Sequence, residues 1–130
     1  MYEERTLTVL IVEDDRFICE ALRRIMKNNF SCHVDVVHDG HEAWERVRDH
    51  RYDLVISDWN MPQKTGDQLL LDIRRQEVTR DLPFLMLTAR SDKESVITAQ
   101  KAGASDYICK PFRQADVVNK VSKILEIPTP

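Results

Sequence analysis

The sequence predicts an α/β fold: one doubly wound parallel sheet of five strands with helices on both faces. Three observations predict it. Short apolar runs alternate five times with stretches of helical periodicity, the pattern of repeated strand–helix units. The apolar runs are mostly continuous rather than alternating, as strands buried on both faces require. Each run also stops abruptly at a polar residue or a turn signal, where a strand would feed a loop at the sheet edge.

The elements follow in order. Leu7 to Val12 is β-branched and short, a buried strand that ends in Glu13-Asp14-Asp15. From Arg16 the period changes: Ile18, Leu22, Ile25 and Met26 share a helical face, and Asp15 is placed as the N-cap. Val34, Val36 and Val37 suggest a shorter second strand, and Asp39-Gly40 reads as a turn before a second helix marked by Ala43, Trp44 and Val47. Leu54, Val55 and Ile56 form the third strand, which stops at Asp58, and Pro62 forbids smooth continuation. A third helix carries Leu69, Leu70 and Ile73. Pro83 opens a fourth strand, residues 84–87, ending at Thr88-Ala89. Ser91 or Asp92 can cap a fourth helix with Val96, Ile97 and Ala102 on one side, and Gly103 sits where a helix end favours a left-handed residue. Tyr107, Ile108 and Cys109 make a short fifth strand closed by Lys110-Pro111. A last helix runs from about Gln114, with Val117, Val121, Ile124 and Leu125 inward.

At 130 residues the chain is read as one domain with a core over about residues 7–126; residues 127–130 are a tail or the start of a linker. A net charge of −3 argues against a nucleic-acid surface. The start, Met1-Tyr2-Glu3-Glu4-Arg5, does not resemble a signal peptide, and no apolar stretch reaches membrane-spanning length. Cys19, Cys32 and Cys109 form neither a disulfide framework nor a zinc pattern. Reduced thiols in a cytoplasmic protein are therefore expected. The four histidines show no metal-ligand spacing and read as surface residues.

Right-handed crossovers place the C-terminal ends of parallel strands on one edge, where open α/β sheets hold their chemistry. Glu13, Asp14, Asp58, Thr88 and Lys110 all fall there. Each has a bland role alone: helix-starting acids, a turn aspartate, a cap, a solvated lysine. Five bland roles gathered at the ends of four strands are a poor bet. Crowded acids resist ionising together, and a hard cation such as magnesium resolves the conflict while keeping several waters. A carboxylate can also act as a nucleophile toward phosphorus. Phosphoryl transfer needs mostly positioning and charge neutralisation, which a metal, Lys110 and Thr88 can supply.

The ordered set Glu13-Asp14, Asp58, Thr88-Ala89 and Lys110-Pro111-Phe112 resembles the receiver domains of two-component response regulators over essentially the whole chain. Residues 55–62 and Gly103-Ala104-Ser105-Asp106-Tyr107 are especially similar to single-domain chemotaxis-type receivers. The resemblance implies a flavodoxin-like strand order, 2-1-3-4-5, which belongs to the family as a known case and does not follow from periodicity. It implies Asp58 as phosphoacceptor, and magnesium (or manganese) held by Glu13, Asp14, Asp58 and the backbone carbonyl of Asn60. Lys110 would pair with the phosphoryl group, its bond to Pro111 being cis. Thr88 would move toward the phosphoryl group and Tyr107 rotate inward, reshaping the surface of helix four, strand five and helix five. Asn60 and Arg90 would tune dephosphorylation.

The donor would be a sensor histidine kinase, a histidine phosphotransfer protein or a small acyl phosphate. The recipient would be an effector protein or a fused output domain. The chain would catalyse only its own phosphorylation and dephosphorylation, with a monomer favoured and neither nucleic acid nor membrane bound directly. Two departures from the family pattern stand out: Glu13 in place of the commoner Asp, and Lys64-Thr65 before Gly66, which leaves that loop's shape open. Three rival readings stand beside this one. A flavin protein would need a Gly/Ser/Thr-rich phosphate cradle where Glu13-Asp14-Asp15 stands. An aspartyl phosphatase would want its nucleophile in a D-x-D pattern after the first strand. A docking module that is never phosphorylated would have no need of the intact acid set.

Overall fold

The computed structural model describes residues 6–89 and 93–128. Five strands, β1 (Leu7–Val12), β2 (Cys32–Val37), β3 (Leu54–Asp58), β4 (Phe84–Thr88) and β5 (Asp106–Cys109), alternate with helices α1 (Arg16–Asn29), α2 (Gly40–Asp49), α3 (Gly66–Arg75), α4 (Lys93–Ala102) and α5 (Gln114–Leu125). All neighbouring pairs are parallel, in the order β2-β1-β3-β4-β5, as the family resemblance implies.

Alternation along the strands builds two cores. Leu10, Val12, Val55, Phe84 and Met86 face one side, where α2 adds Ala43 and Val47, α3 adds Leu69, Leu70 and Ile73, and α4 adds Ala99. Val9, Ile11, Leu54, Ile56, Leu85 and Leu87 face the other, against Leu22, Ile25 and Met26 of α1 and Val117, Val118 and Val121 of α5. Each fully buried Val, Leu, Ile, Phe or Met side chain contributes about 1.5–3 kcal/mol, so the middle strands are fixed in register from both faces.

Local signals act where expected. The Asp15 carboxylate accepts from the N–H groups of Phe17 (2.9 Å) and Ile18 (3.2 Å), capping α1. Gly103 takes φ 97° after α4, and Lys110–Pro111 is cis. Three readings change. β2 is six residues long, not shorter than β1, and pairs with it throughout. As an edge strand it alternates His33 and Asp35 with its valines, which disguised it. Gly40 is not part of a turn but the first residue of α2, with Asp39 as N-cap. Ile97 is not inward: it is 37% exposed, and Ser95 and Ala99 bury instead. The caps expected at Ser91 or Asp92 lie outside the described residues.

Candidate functional site

Four of the five strands, β1, β3, β4 and β5, deliver polar end residues to the same rim. Glu13 follows β1 and is fully buried. Its backbone is held on both sides: its N–H donates to the Val37 carbonyl (3.1 Å), and its own carbonyl accepts from Cys19 Sγ (3.1 Å) and His38 Nδ1 (3.0 Å). Burial, with the Glu13 charge next, pushes the Cys19 thiol up to about 11, so it remains a protonated donor. Asp58 ends β3 opposite Leu87, and its Oδ1 accepts from the Trp59 N–H at 2.9 Å. Gly66 lets the loop pass behind it, because a methyl there would run into the Asp58 carbonyl.

Lys110 joins the two acids. Its backbone N–H donates to the Thr88 carbonyl (2.8 Å), which aims the side chain back across the rim. Its Nζ lies 2.7 Å from Glu13 Oε1 and 3.1 Å from Asp58 Oδ1. Glu13 Oε2 accepts from the Asp15 N–H at 3.2 Å. Burial raises the Glu13 carboxyl above its ordinary range; the Lys110 and Asp15 hydrogen bonds oppose this, and the Asp58 charge adds to it. Burial pulls the Lys110 ammonium down, but hydrogen bonds and charge from Glu13 and Asp58 outweigh it and leave it raised. This lysine is therefore a fixed positive charge.

Asp14 projects outward from the rim. Carboxylate oxygens of Glu13, Asp14 and Asp58 lie within 4.8 Å of one another, the one such cluster of metal-ligating types among the described residues. An all-oxygen, doubly buried, singly exposed set fits a hard divalent cation that retains waters, magnesium or manganese. Asn60 lies exposed on the same loop, and Thr88 is buried at the end of β4. Tyr107 is half-buried in β5, with Lys120 Nζ 5.6 Å from its ring centre and 3.0 Å from Asp106 Oδ1. Arg90 lies outside the described residues.

The sequence reading did not find the supports beneath these groups. His38 looked like a surface histidine, yet it meets the Glu13 carbonyl. Lys64 was a departure of open meaning; it is ion-paired with Asp72 of α3. Neither partner shares a motif or a helical spacing with its mate, so no local signal points to them.

Comparison with known proteins gives one consistent answer. The model of the response regulator receiver domain matches residues 9–122. Chemotaxis protein CheY-3 of Vibrio cholerae is 37% identical over 127 residues, covering 94% of each chain. Regulatory protein VanRB of Enterococcus faecalis is 38% identical over 120 residues, covering 92% of this chain but 53% of VanRB. The receiver domain of the Pseudomonas aeruginosa sensor histidine kinase PA1611, solved with a magnesium ion coordinated in its active site cleft, superposes with TM-score 0.85 at 26% identity, over 94% of this chain and 99% of that one. With the family model spanning most of the chain and the rim built as described, this protein belongs to the response regulator receiver domain family.

Proposed function

We propose that the chain is a phosphorylation-dependent signalling switch whose acceptor is Asp58. The observation that carries this is the single ammonium, Lys110, within 3.1 Å of both Glu13 and Asp58, whose carboxylate oxygens lie within 4.8 Å of those of a third acid, Asp14. Glu13, Asp14, Asp58 and the Asn60 backbone carbonyl hold magnesium, with manganese as a substitute. Bound there, the cation neutralises charge on the phosphoryl oxygens. An Asp58 carboxylate oxygen forms the new bond to phosphorus while the bond to the donor breaks. That donor atom is the imidazole nitrogen of a phosphohistidine, or the oxygen of a small acyl phosphate, and it leaves with the bonding electrons. Lys110 stays charged beside the new phosphoryl group, and the Thr88 hydroxyl donates to it.

Movement of Thr88 frees space toward which Tyr107 turns, changing the face made by α4, β5 and α5. That face meets an effector protein or a fused output domain. Asn60 and Arg90 set how fast water removes the phosphoryl group. The chain catalyses only these self-directed steps, works in the cytoplasm as a monomer, and receives its phosphoryl group from a sensor kinase or a histidine phosphotransfer protein.

Trp59 reports on the site, because its N–H donates to Asp58 and its side chain is buried. In a Trp44→Phe background, we expect magnesium to change Trp59 fluorescence and beryllofluoride with magnesium to change it further. Asp58→Ala should lose the second change. A second change that survives in Asp58→Ala would remove Asp58 as the acceptor.

A further inference from the structure

The loop at residues 59–65 starts beside Asp58 and carries Asn60. It closes on itself, since the Gly66 N–H donates to the Trp59 carbonyl at 2.7 Å. Within it the backbone is strained. Gln63 has φ 69°, a left-handed conformation that side chains disfavour. The Lys64 N–H donates to the Pro62 carbonyl at 2.8 Å, a three-residue turn around Gln63. Such strain persists only where the surroundings over-determine it.

The surroundings act at Lys64. Its side chain is ion-paired with Asp72 of α3. Its backbone lies directly on Gly40, the first residue of α2. A methyl on Gly40 would run into the Lys64 carbonyl oxygen, and would sit 2.7 Å from its carbonyl carbon and 2.8 Å from its Cβ. Gly40 does not adopt the left-handed conformation; among the described glycines only Gly103 does. Glycine at 40 thus supplies space, not backbone freedom, and alanine would be tolerated there by the helix itself.

We propose that Gly40 is a positioning residue for the metal site: its missing side chain lets Lys64 seat between α2 and α3, which fixes the strained loop and with it the Asn60 carbonyl. The proposal rests on Asn60, Glu13, Asp14 and Asp58 being the magnesium ligands. Magnesium demands near-ideal octahedral geometry, so a displaced loop carbonyl weakens binding. Asp58 itself ends β3 opposite Leu87 of β4, on a strand that β1 pairs up to Ser57, so its chemistry at saturating magnesium is preserved.

The test compares wild type, Gly40→Ala and Asp72→Ala. Magnesium affinity is read from Trp59 fluorescence and by calorimetry. The phosphorylation rate with acetyl phosphate is measured against magnesium concentration. Gly40→Ala should weaken magnesium binding about tenfold, the scale for losing a group that orients a metal ligand. Asp72→Ala should weaken it in the same direction by less. Half-saturating magnesium should rise in step, with the rate at saturation unchanged. Unaltered affinity in folded Gly40→Ala overturns the proposal; should that variant not fold, unaltered affinity in Asp72→Ala overturns it. A fall in saturated rate with half-saturation unchanged also overturns it. Wild type that binds no magnesium overturns the metal reading and this proposal together, whereas wild-type binding matched by both variants overturns this proposal alone.

Discussion

At the scale of single residues, Lys110 bridges the two buried acids of the rim. Glu13 and Asp58 are both buried, and Lys110 is an ammonium within hydrogen-bonding distance of both. Removing it leaves two buried carboxylates facing each other. Lys110→Met should therefore destabilise the metal-free protein by roughly 2–3 kcal/mol in urea unfolding. That is below the full cost of breaking a buried pair, because the ammonium keeps partial access to water. Magnesium should restore part of the loss, since, bound as proposed, it would supply the missing positive charge to the same oxygens. A variant as stable as wild type without metal would mean that the two acids do not depend on this lysine.

At the scale of elements, the edge strand β2 is half-exposed along most of its length. Tyr52, on the segment before β3, ties it down by donating its hydroxyl to Asp35 at 2.8 Å. Burial pushes the Tyr52 hydroxyl up to about 12, and the Asp35 hydrogen bond and charge add to the rise. A raised pKa in the fold means that the folded state keeps its proton longer than the unfolded chain. The contribution is complete below pH 10, the unfolded value, and is lost as pH rises through about 12. Wild type should thus lose stability more steeply than Tyr52→Phe over this alkaline window, by about 1 kcal/mol per pH unit. Parallel slopes for the two proteins would contradict the tie. The same elements show what the sequence made legible. The central strands were plain because burial on both faces demands unbroken apolar runs. β2 was misjudged because an edge strand alternates, and Ile97 was misplaced because an apolar residue on a helix need not face the core when Ser95 and Ala99 lie closer to it.

At the scale of the molecule, parallel topology brings residues 13, 14, 58, 88 and 110 to one edge, and that rule needs only the order of strands and helices. The acids and the lysine were therefore legible from their positions alone. The layer beneath them was not. Gly40 against Lys64, Lys64 with Asp72 and His38 under Glu13 are contacts between distant segments, and they depend on how helices seat on the sheet. Among the described residues no helix is long and apolar enough to cross a membrane. As proposed, this rim lets Asp58 accept phosphorus with a divalent cation at hand. The most direct test of this is the intact mass of the protein after incubation with acetyl phosphate. We expect a gain of one phosphoryl group with magnesium, none with a chelator, and none in Asp58→Ala. An equal gain in Asp58→Ala, or no gain in wild type with any divalent cation, would contradict it.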